Sequence, residues 1–173
     1  MANEIAAEDS ERADFLEALS THRSFLRRTV GGLTDSEARE RTTASELYLG
    51  GVIKHVTRAE QRWADFIVRG PTAIGAGDET SLEAHAASFR MLEGETLASL
   101  LENYAEVARR TDDLVAFLPS LDYLQPLPAG RWFPPGARWS ARRVLLHIIA
   151  ETAQHAGHAD IIRESLDGAK TVG

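Results

Sequence analysis

At 173 residues, with 43% hydrophobic and 26% charged residues, the chain has the size and composition of a soluble globular protein, and we predict one domain over residues 1–173. Its formal charge of −7 argues against a nucleic-acid partner, because phosphate neutralisation needs a clustered basic face. The absence of cysteine excludes disulfides, zinc–thiolate sites and a protein thiol nucleophile. Any metal must therefore be held by nitrogen and oxygen, and any thiol chemistry must use a thiol supplied by a substrate.

The sequence contains no candidate membrane segment or signal peptide. Its nearest apolar run, Val144 to Ala150, is far shorter than a membrane span and contains His147. The N-terminus is acidic and lacks the basic and apolar regions of a signal peptide. We therefore predict a cytoplasmic protein with no membrane partner.

Hydrophobic periodicity predicts four long helices, each ended by glycine or proline. In chain order the predicted elements are a helix from about Ser10 to Val30, a short turn over Thr34 to Glu37, a helix from Ser45 to Val68, a loop from Pro71 to Ser81, a short helix from Ser81 to Leu92, a helix from Thr96 to Leu118, a connection from Ser120 to Trp139, and a helix from Ser140 to Leu166. No strand pattern of convincing length is present. These elements predict an all-α, up-down four-helix bundle with a long crossover loop.

The crossover connection is too rich in proline to be helical, and we expect it to be an ordered loop. Its aromatic residues are expected to pack it against the bundle: Tyr123, Trp132, Phe133 and Trp139.

The last helix carries one carboxylate and three imidazoles in one stripe. At about 100° per residue, His147 and His155 lie roughly 40° to either side of Glu151, and His158 returns to within about 20° of it. Three readings are open: a buried polar network that fixes register, a solvated face, and a metal site. The apolar neighbours argue against a solvated face for every member, and imidazole with carboxylate suits zinc, nickel or iron(II).

A further histidine, His55, lies on the second long helix, one turn after Gly50 and Gly51. Two helical glycines cost roughly 1 kcal/mol each relative to alanine, which predicts close approach by another element or a ligand. His55 could supply a third ligand from a neighbouring helix. His22 and His85 are expected to be surface or boundary histidines.

Other catalytic architectures fit less well. The chain has no His-Glu-x-x-His, no pair of Glu-x-x-His motifs and no glycine-rich nucleotide-binding motif. No nucleophile-elbow sequence supports Ser/His/Asp hydrolysis.

Two segments resemble a known family: Leu49–His55 with downstream Glu60 and Trp63, and Trp139–Ser140 followed by Leu145–Glu164. They are similar to the DinB-like superfamily, and within it to the mycothiol-dependent transferase and maleylpyruvate isomerase-like metal-binding branch. The resemblance covers about Phe15 to Gly168. It implies a four-helix bundle, often a homodimer, with one divalent metal, zinc foremost and nickel or iron as alternatives.

By the same resemblance the metal ligands are His55, Glu151 and His155. The implied partners are a low-molecular-weight thiol and a small electrophilic substrate, and the implied activity is a metal-dependent thiol S-transferase. His158 is then a pocket histidine that handles a proton as the catalytic residue. His147 is expected to be a buried structural histidine.

Two further functions remain open from the sequence. One is another metal-dependent reaction, such as hydrolysis by a metal-bound hydroxide. The other is a non-enzymatic, stress-linked metal-binding or dimerisation module.

Overall fold

Helices dominate the structure, a computed structural model that describes residues 2–75, 79–129 and 133–171. The helices are α1 (Ala2–Arg28), α2 (Asp35–Ala38), α3 (Leu49–Arg69), α4 (Glu79–Ser88), α5 (Leu97–Phe117) and α6 (Ala141–Asp167), with a 3-10 turn at Gly70–Ala73. Two short strands, β1 (Leu124–Pro126) and β2 (Arg138–Ser140), precede α6. The prediction of an all-α helical bundle is confirmed.

The four long helices form a closed ring of neighbours. Helix α1 packs against α6 and α5, and α3 packs against the same two helices, so that α1 and α3 lie diagonally across the bundle. Helix α4 packs on the outside of α3. This arrangement brings one face of α3 and one face of α6 together beneath α4.

Side-chain caps fix several helix boundaries where the sequence placed them. Thr34 and Thr96 each accept a hydrogen bond from a backbone N–H three residues on, and Ser140 does the same at the start of α6. Gly168 ends α6 in the left-handed conformation at φ +80°.

Two long helices start elsewhere than predicted, and the short helix α4 covers Glu79–Ser88 instead of Ser81 to Leu92. Helix α1 begins at Ala2 instead of near Ser10. Helix α3 begins at Leu49 instead of Ser45, because the Ser45 hydroxyl accepts a hydrogen bond from the Leu47 N–H in a bend. Tyr48 is then extended, and its hydroxyl accepts a hydrogen bond from Met91 N–H at 2.6 Å.

The crossover connection contains the two-stranded sheet that the sequence did not predict. Three-residue strands are too short to give a period-two hydrophobic pattern. Gln125 lies opposite Trp139 in the antiparallel pair, and its side-chain amide donates to the carbonyl of Ile67 at 3.1 Å. The pair therefore holds Trp139 close to α3. Trp132 and residues 76–78 of the predicted 71–81 loop lie outside the described residues.

A polar layer crosses the middle of the bundle between two hydrophobic clusters. One cluster surrounds Leu26, Ile53 and Ile162, and the other surrounds Leu19, Phe66 and Ile148. Between them lie buried or partly buried polar side chains from all four long helices: Arg23, Glu60, Thr111, Glu151, Thr152 and His155. Candidate chemistry is concentrated in this layer.

Within the described residues, no helix is long and apolar enough to cross a membrane. The cytoplasmic location, the homodimer and the single domain over residues 1–173 stay predictions.

Candidate metal centre and adjoining cavity

Three donor side chains converge in the polar layer: His55 from α3 with Glu151 and His155 from α6. We call them the donor cluster. One donor atom from each lies within 4.8 Å of the others. The Nε2 atoms of His55 and His155 lie 3.9 and 3.8 Å from the same oxygen, Oε2 of Glu151. Donors around one tetrahedral zinc ion are about 3.4 Å apart, so side-chain shifts of about an ångström would close the cluster on a metal.

Ser88, at the end of α4, fixes the tautomer of His55. Its hydroxyl donates to the carbonyl of His85 at 2.6 Å, so it accepts from Nδ1 of His55 at 2.7 Å. Nδ1 of His55 therefore carries a proton, and Nε2 faces Glu151, where it could bind a metal. A ring nitrogen held by such an outer hydrogen bond is characteristic of metal-ligating histidines.

Glycines on α3 allow the segment after α4 to reach His55. A Cβ on Gly51 would lie 2.1 Å from the Phe89 carbonyl oxygen, and one on Gly50 would lie 2.1 Å from Met91 Sδ. The Phe89 ring stacks on the His55 ring with centroids 3.7 Å apart and planes 11° apart. The close approach predicted from the two glycines is confirmed.

Burial and neighbouring charge set the protonation of the donor cluster. Burial, reinforced by nearby His55, lowers the pKa of His155 to about 4, so its ring is neutral at pH 7. The His55 imidazole, opposed by burial, holds the pKa of Glu151 below its usual range, so the carboxylate is ionised. Both groups are thus in the state that binds a metal.

The Glu151 carboxylate has room for a ligand. Nδ1 of His155, the ring nitrogen other than the one nearest Glu151, has no hydrogen-bond partner among the described residues, so His155 lacks the outer hydrogen bond that His55 has. The imidazole nitrogens of His55, His147 and His155 lie 3.8 to 4.0 Å from the Glu151 carboxylate oxygens. A carboxylate and imidazoles held close without direct bonds leave their lone pairs available, and the donor set suits a divalent ion of the zinc type.

A cavity of about 350 Å³ opens beside the donor cluster. His55 and Glu151 are at its edge, and His147, His85 and Ser88 also line it. Its aromatic wall consists of Trp63, Phe133 and Trp139. The two indoles stack with centroids 4.9 Å apart and planes 18° apart, and the Phe133 ring packs edge-on against both.

The remaining histidines occupy distinct positions. His147 lies at the cavity, with its ring 4.6 Å from Trp63 and its Nε2 4.0 Å from Glu151 Oε1. Burial lowers its pKa. The ring of His158 lies 5.4 Å from that of His155, and His158 is not among the residues lining the cavity.

Sequence reasoning missed His85 and Ser88. His85 is partly buried, in keeping with the boundary position expected for it, but its ring is edge-on to His55 at 5.1 Å, a contact that the sequence did not indicate. No periodic pattern in α4 marks either residue, because both act through the way α4 packs on α3. The chief available signal was the pair of glycines before His55, which required a close neighbour.

The model of the mycothiol-S-transferase family matches residues 14–168. The chain belongs to the mycothiol-S-transferase family. The resemblance to the mycothiol-dependent transferase branch is therefore confirmed, and membership supports S-transferase-like chemistry with a thiol substrate.

Comparison with individual proteins adds information on the fold. No curated protein matches the chain. A conserved protein from Enterococcus faecalis, known from a crystal structure, is similar with a TM-score of 0.62 and 15% identity, covering 90% of this chain and 96% of that chain. At that identity the likeness shows a shared fold alone.

Proposed function

We propose that this member of the mycothiol-S-transferase family is a metal-dependent enzyme that transfers a low-molecular-weight thiol, mycothiol by family membership, to a small electrophile. The observation that carries the proposal is the donor cluster at the edge of a cavity with an aromatic wall. Three protein donors on one side and open space on the other are typical of catalytic metal sites.

His55, Glu151 and His155 would hold the metal, and zinc is the ion their donor types fit best, with nickel and iron(II) as alternatives. When bound, such an ion lowers the pKa of a coordinated thiol, so that sulfur is a nucleophilic thiolate at neutral pH. The protein itself needs no cysteine for this chemistry, and it has none.

The chain's own residues orient the donors and handle the proton. Ser88 holds the His55 ring so that Nε2 faces the position of the metal. The apolar rings of the aromatic wall would keep water away from one side of the cavity. The proton released by the thiol needs a base. His158 is the base proposed from the sequence, but His147 lines the cavity, so we propose His147 as the first acceptor to test.

The proposed transfer of the thiol to the electrophile needs no oxidant or reductant. The thiol loses its proton, and a sulfur electron pair forms a bond to the electrophilic carbon. The displaced electron pair leaves with a leaving group or, in an addition, takes up the proton at the neighbouring carbon.

The proposal is tested by metal analysis together with thiol conjugation to a generic electrophile. We expect one bound divalent ion per chain and thiol-dependent turnover in the wild type, with both lost in His155→Ala. The matched control is His22→Ala, which removes a histidine of α1 outside the donor cluster and should keep both.

Other outcomes would contradict parts of the proposal. Stoichiometric metal retained by His155→Ala rejects the ligand set. Turnover that needs no thiol indicates metal-dependent hydrolysis instead, and metal binding without turnover of any thiol and electrophile pair indicates a non-enzymatic module. A loss of rate in His147→Gln that His158→Gln does not reproduce supports His147 as the base, and the reverse result supports His158.

A further inference from the structure

Two arginines of α3 line the cavity without carboxylate partners among the described residues. Arg58 and Arg62 are four residues apart and so share a helix face with each other. Arg62 donates a hydrogen bond to the carbonyl of Ile74. Arg58 is exposed at the cavity and makes no hydrogen bond or ion pair with the described part of the chain.

The pair differs from the arginines of the described chain that are bound by carboxylates, as Arg23 is by Glu60 and Arg142 by Glu11. Other arginines, such as Arg39, donate to carbonyl oxygens as Arg62 does. Burial, with a smaller contribution from the charge of Arg58, lowers the pKa of Arg62, as expected for two cations on one helix face. Two like charges kept together without a carboxylate leave a site for an external anion.

The charges of the residues that line the cavity also favour binding of an anion. Among the described lining residues, Glu151 is the single carboxylate, and it belongs to the donor cluster. The two arginines outnumber this carboxylate in the metal-free protein, and a divalent ion bound there would leave no negative group of the described lining to compensate them. The cavity is then a cationic, partly enclosed space in which an anion is held more strongly than in water.

The position of the arginines sets the size of what they would bind. At 1.5 Å per residue, Arg58 and Arg62 lie about 4.5 and 10.5 Å beyond His55 along the α3 axis. The aromatic wall follows the same stretch, since Trp63 lies beside Arg62 in the sequence. A ligand reaching from the donor cluster to the arginines would lay a flat apolar body against the stacked indoles.

We propose that Arg58 and Arg62 form an anion subsite, and that the electrophile of this enzyme is a small carboxylate with a planar apolar body. The carboxylate would accept hydrogen bonds from the two guanidinium groups, and the body would pack on Trp63 and Trp139. The role of this ligand as electrophile rests on the proposed S-transferase function. The subsite itself rests on the cavity alone.

The test compares benzoate with benzamide, which share a planar ring and differ in charge. Binding is followed by the fluorescence of tryptophan in metal-free protein without thiol, since Trp63 and Trp139 line the cavity. We expect benzoate to bind the wild type about tenfold more tightly than benzamide, as charge-assisted hydrogen bonds allow. The double variant R58Q/R62Q should bind the two probes equally.

Two further variants distinguish loss of the anion subsite from a folding defect. R58Q alone removes a side chain with no described partner and should reduce benzoate affinity about threefold while leaving benzamide affinity unchanged. R110Q makes the same charge change on α5, away from the cavity, and should keep the full preference for benzoate.

Equal binding of the two probes by the wild type, or a preference for benzoate that survives in R58Q/R62Q, would overturn the subsite. The binding measurement uses neither metal nor turnover. It therefore tests the anion subsite even if the S-transferase proposal fails. A confirmed subsite with no conjugation would reject the enzyme proposal and keep the anion site.

Discussion

The polar layer of this bundle contains two clusters that use similar groups in opposite ways. In the ion-pair cluster, Arg23 of α1 binds Glu60 of α3 through two hydrogen bonds of 2.5 and 3.2 Å, and Asp112 of α5 at 2.7 Å. Glu60 is 1% exposed. In the donor cluster, only five residues earlier along α3, His55 faces Glu151 at 3.9 Å without a direct hydrogen bond.

The difference separates structural from functional polar groups. The carboxylate of Glu60 has both oxygens occupied by a guanidinium, so it has little capacity for a further ligand. The carboxylate of Glu151 lies 3.8 to 4.0 Å from three imidazoles, and its lone pairs remain available. Burial alone therefore does not identify a site, because the saturation of the buried group decides what it can bind.

The largest expected effect is on the ion-pair cluster. Glu60→Gln leaves Arg23 buried with only the partly exposed Asp112, and we expect a loss of about 3–5 kcal/mol in the free energy of unfolding. Urea denaturation measures this loss. Metal affinity of the folded fraction should be unchanged, and a loss below about 1 kcal/mol would contradict the contrast between the clusters.

Acidification should destabilise the metal-free protein through the donor cluster. The pKa of His155 is about 4 in the folded state and about 6.5 when unfolded, so the unfolded chain binds more protons between these values. Stability is therefore complete above about pH 6.5 and falls as the pH drops toward 4, by about 3 kcal/mol in all from this group. His155→Gln should show a smaller loss between pH 6.5 and 4.5 in urea titrations, and an equal loss would reject the assignment.

Loss of the outer hydrogen bond should weaken the metal without removing a ligand. Ser88→Ala frees Nδ1 of His55 from its 2.7 Å bond, and we expect metal affinity to fall about 10- to 100-fold. Competition with a chelator measures the affinity, and Ser88→Thr serves as the matched control because it keeps the hydroxyl. Unchanged affinity in Ser88→Ala would show that stacking on Phe89 is sufficient to orient His55.

The smallest expected effect on stability comes from Glu151. Because this carboxylate has no direct hydrogen bond to its imidazole neighbours, Glu151→Gln should change the unfolding free energy of the metal-free protein by less than about 1 kcal/mol. The same variant should lose metal. Thermal or urea denaturation against Glu60→Gln gives the direct comparison, and a cost as large as that of Glu60→Gln would make Glu151 a structural residue.

Much of the fold was predictable from local patterns. Thr34, Thr96 and Ser140 cap helices where the sequence indicated, because a capping side chain acts on a backbone N–H two or three residues away. The predicted start of α3 was wrong by four residues, because the hydroxyls of Ser45 and Tyr48 accept hydrogen bonds from backbone N–H groups outside the helix. The strand pair around Gln125 and Trp139 was missed because its register depends on packing against α3.

The candidate site was predictable in part for the same reason. Glu151 and His155 share a face of one helix, so their closeness follows from helical spacing alone. Bringing His55 to them required the family resemblance, because no spacing rule connects α3 with α6. Their roles as metal ligands, and that of His158 as the catalytic residue, stay predictions.

By itself the sequence determined the all-α class, the absence of a protein thiol and the carboxylate–imidazole stripe of α6, since each depends on composition or on contacts within one helix. The tertiary structure decided the rest. It placed Ser88 on His55, stacked Trp63 on Trp139, and left Arg58 and Arg62 at a cavity without carboxylate partners among the residues that the structure describes. These features join residues distant along the chain, and packing between elements alone brings such residues within bonding distance.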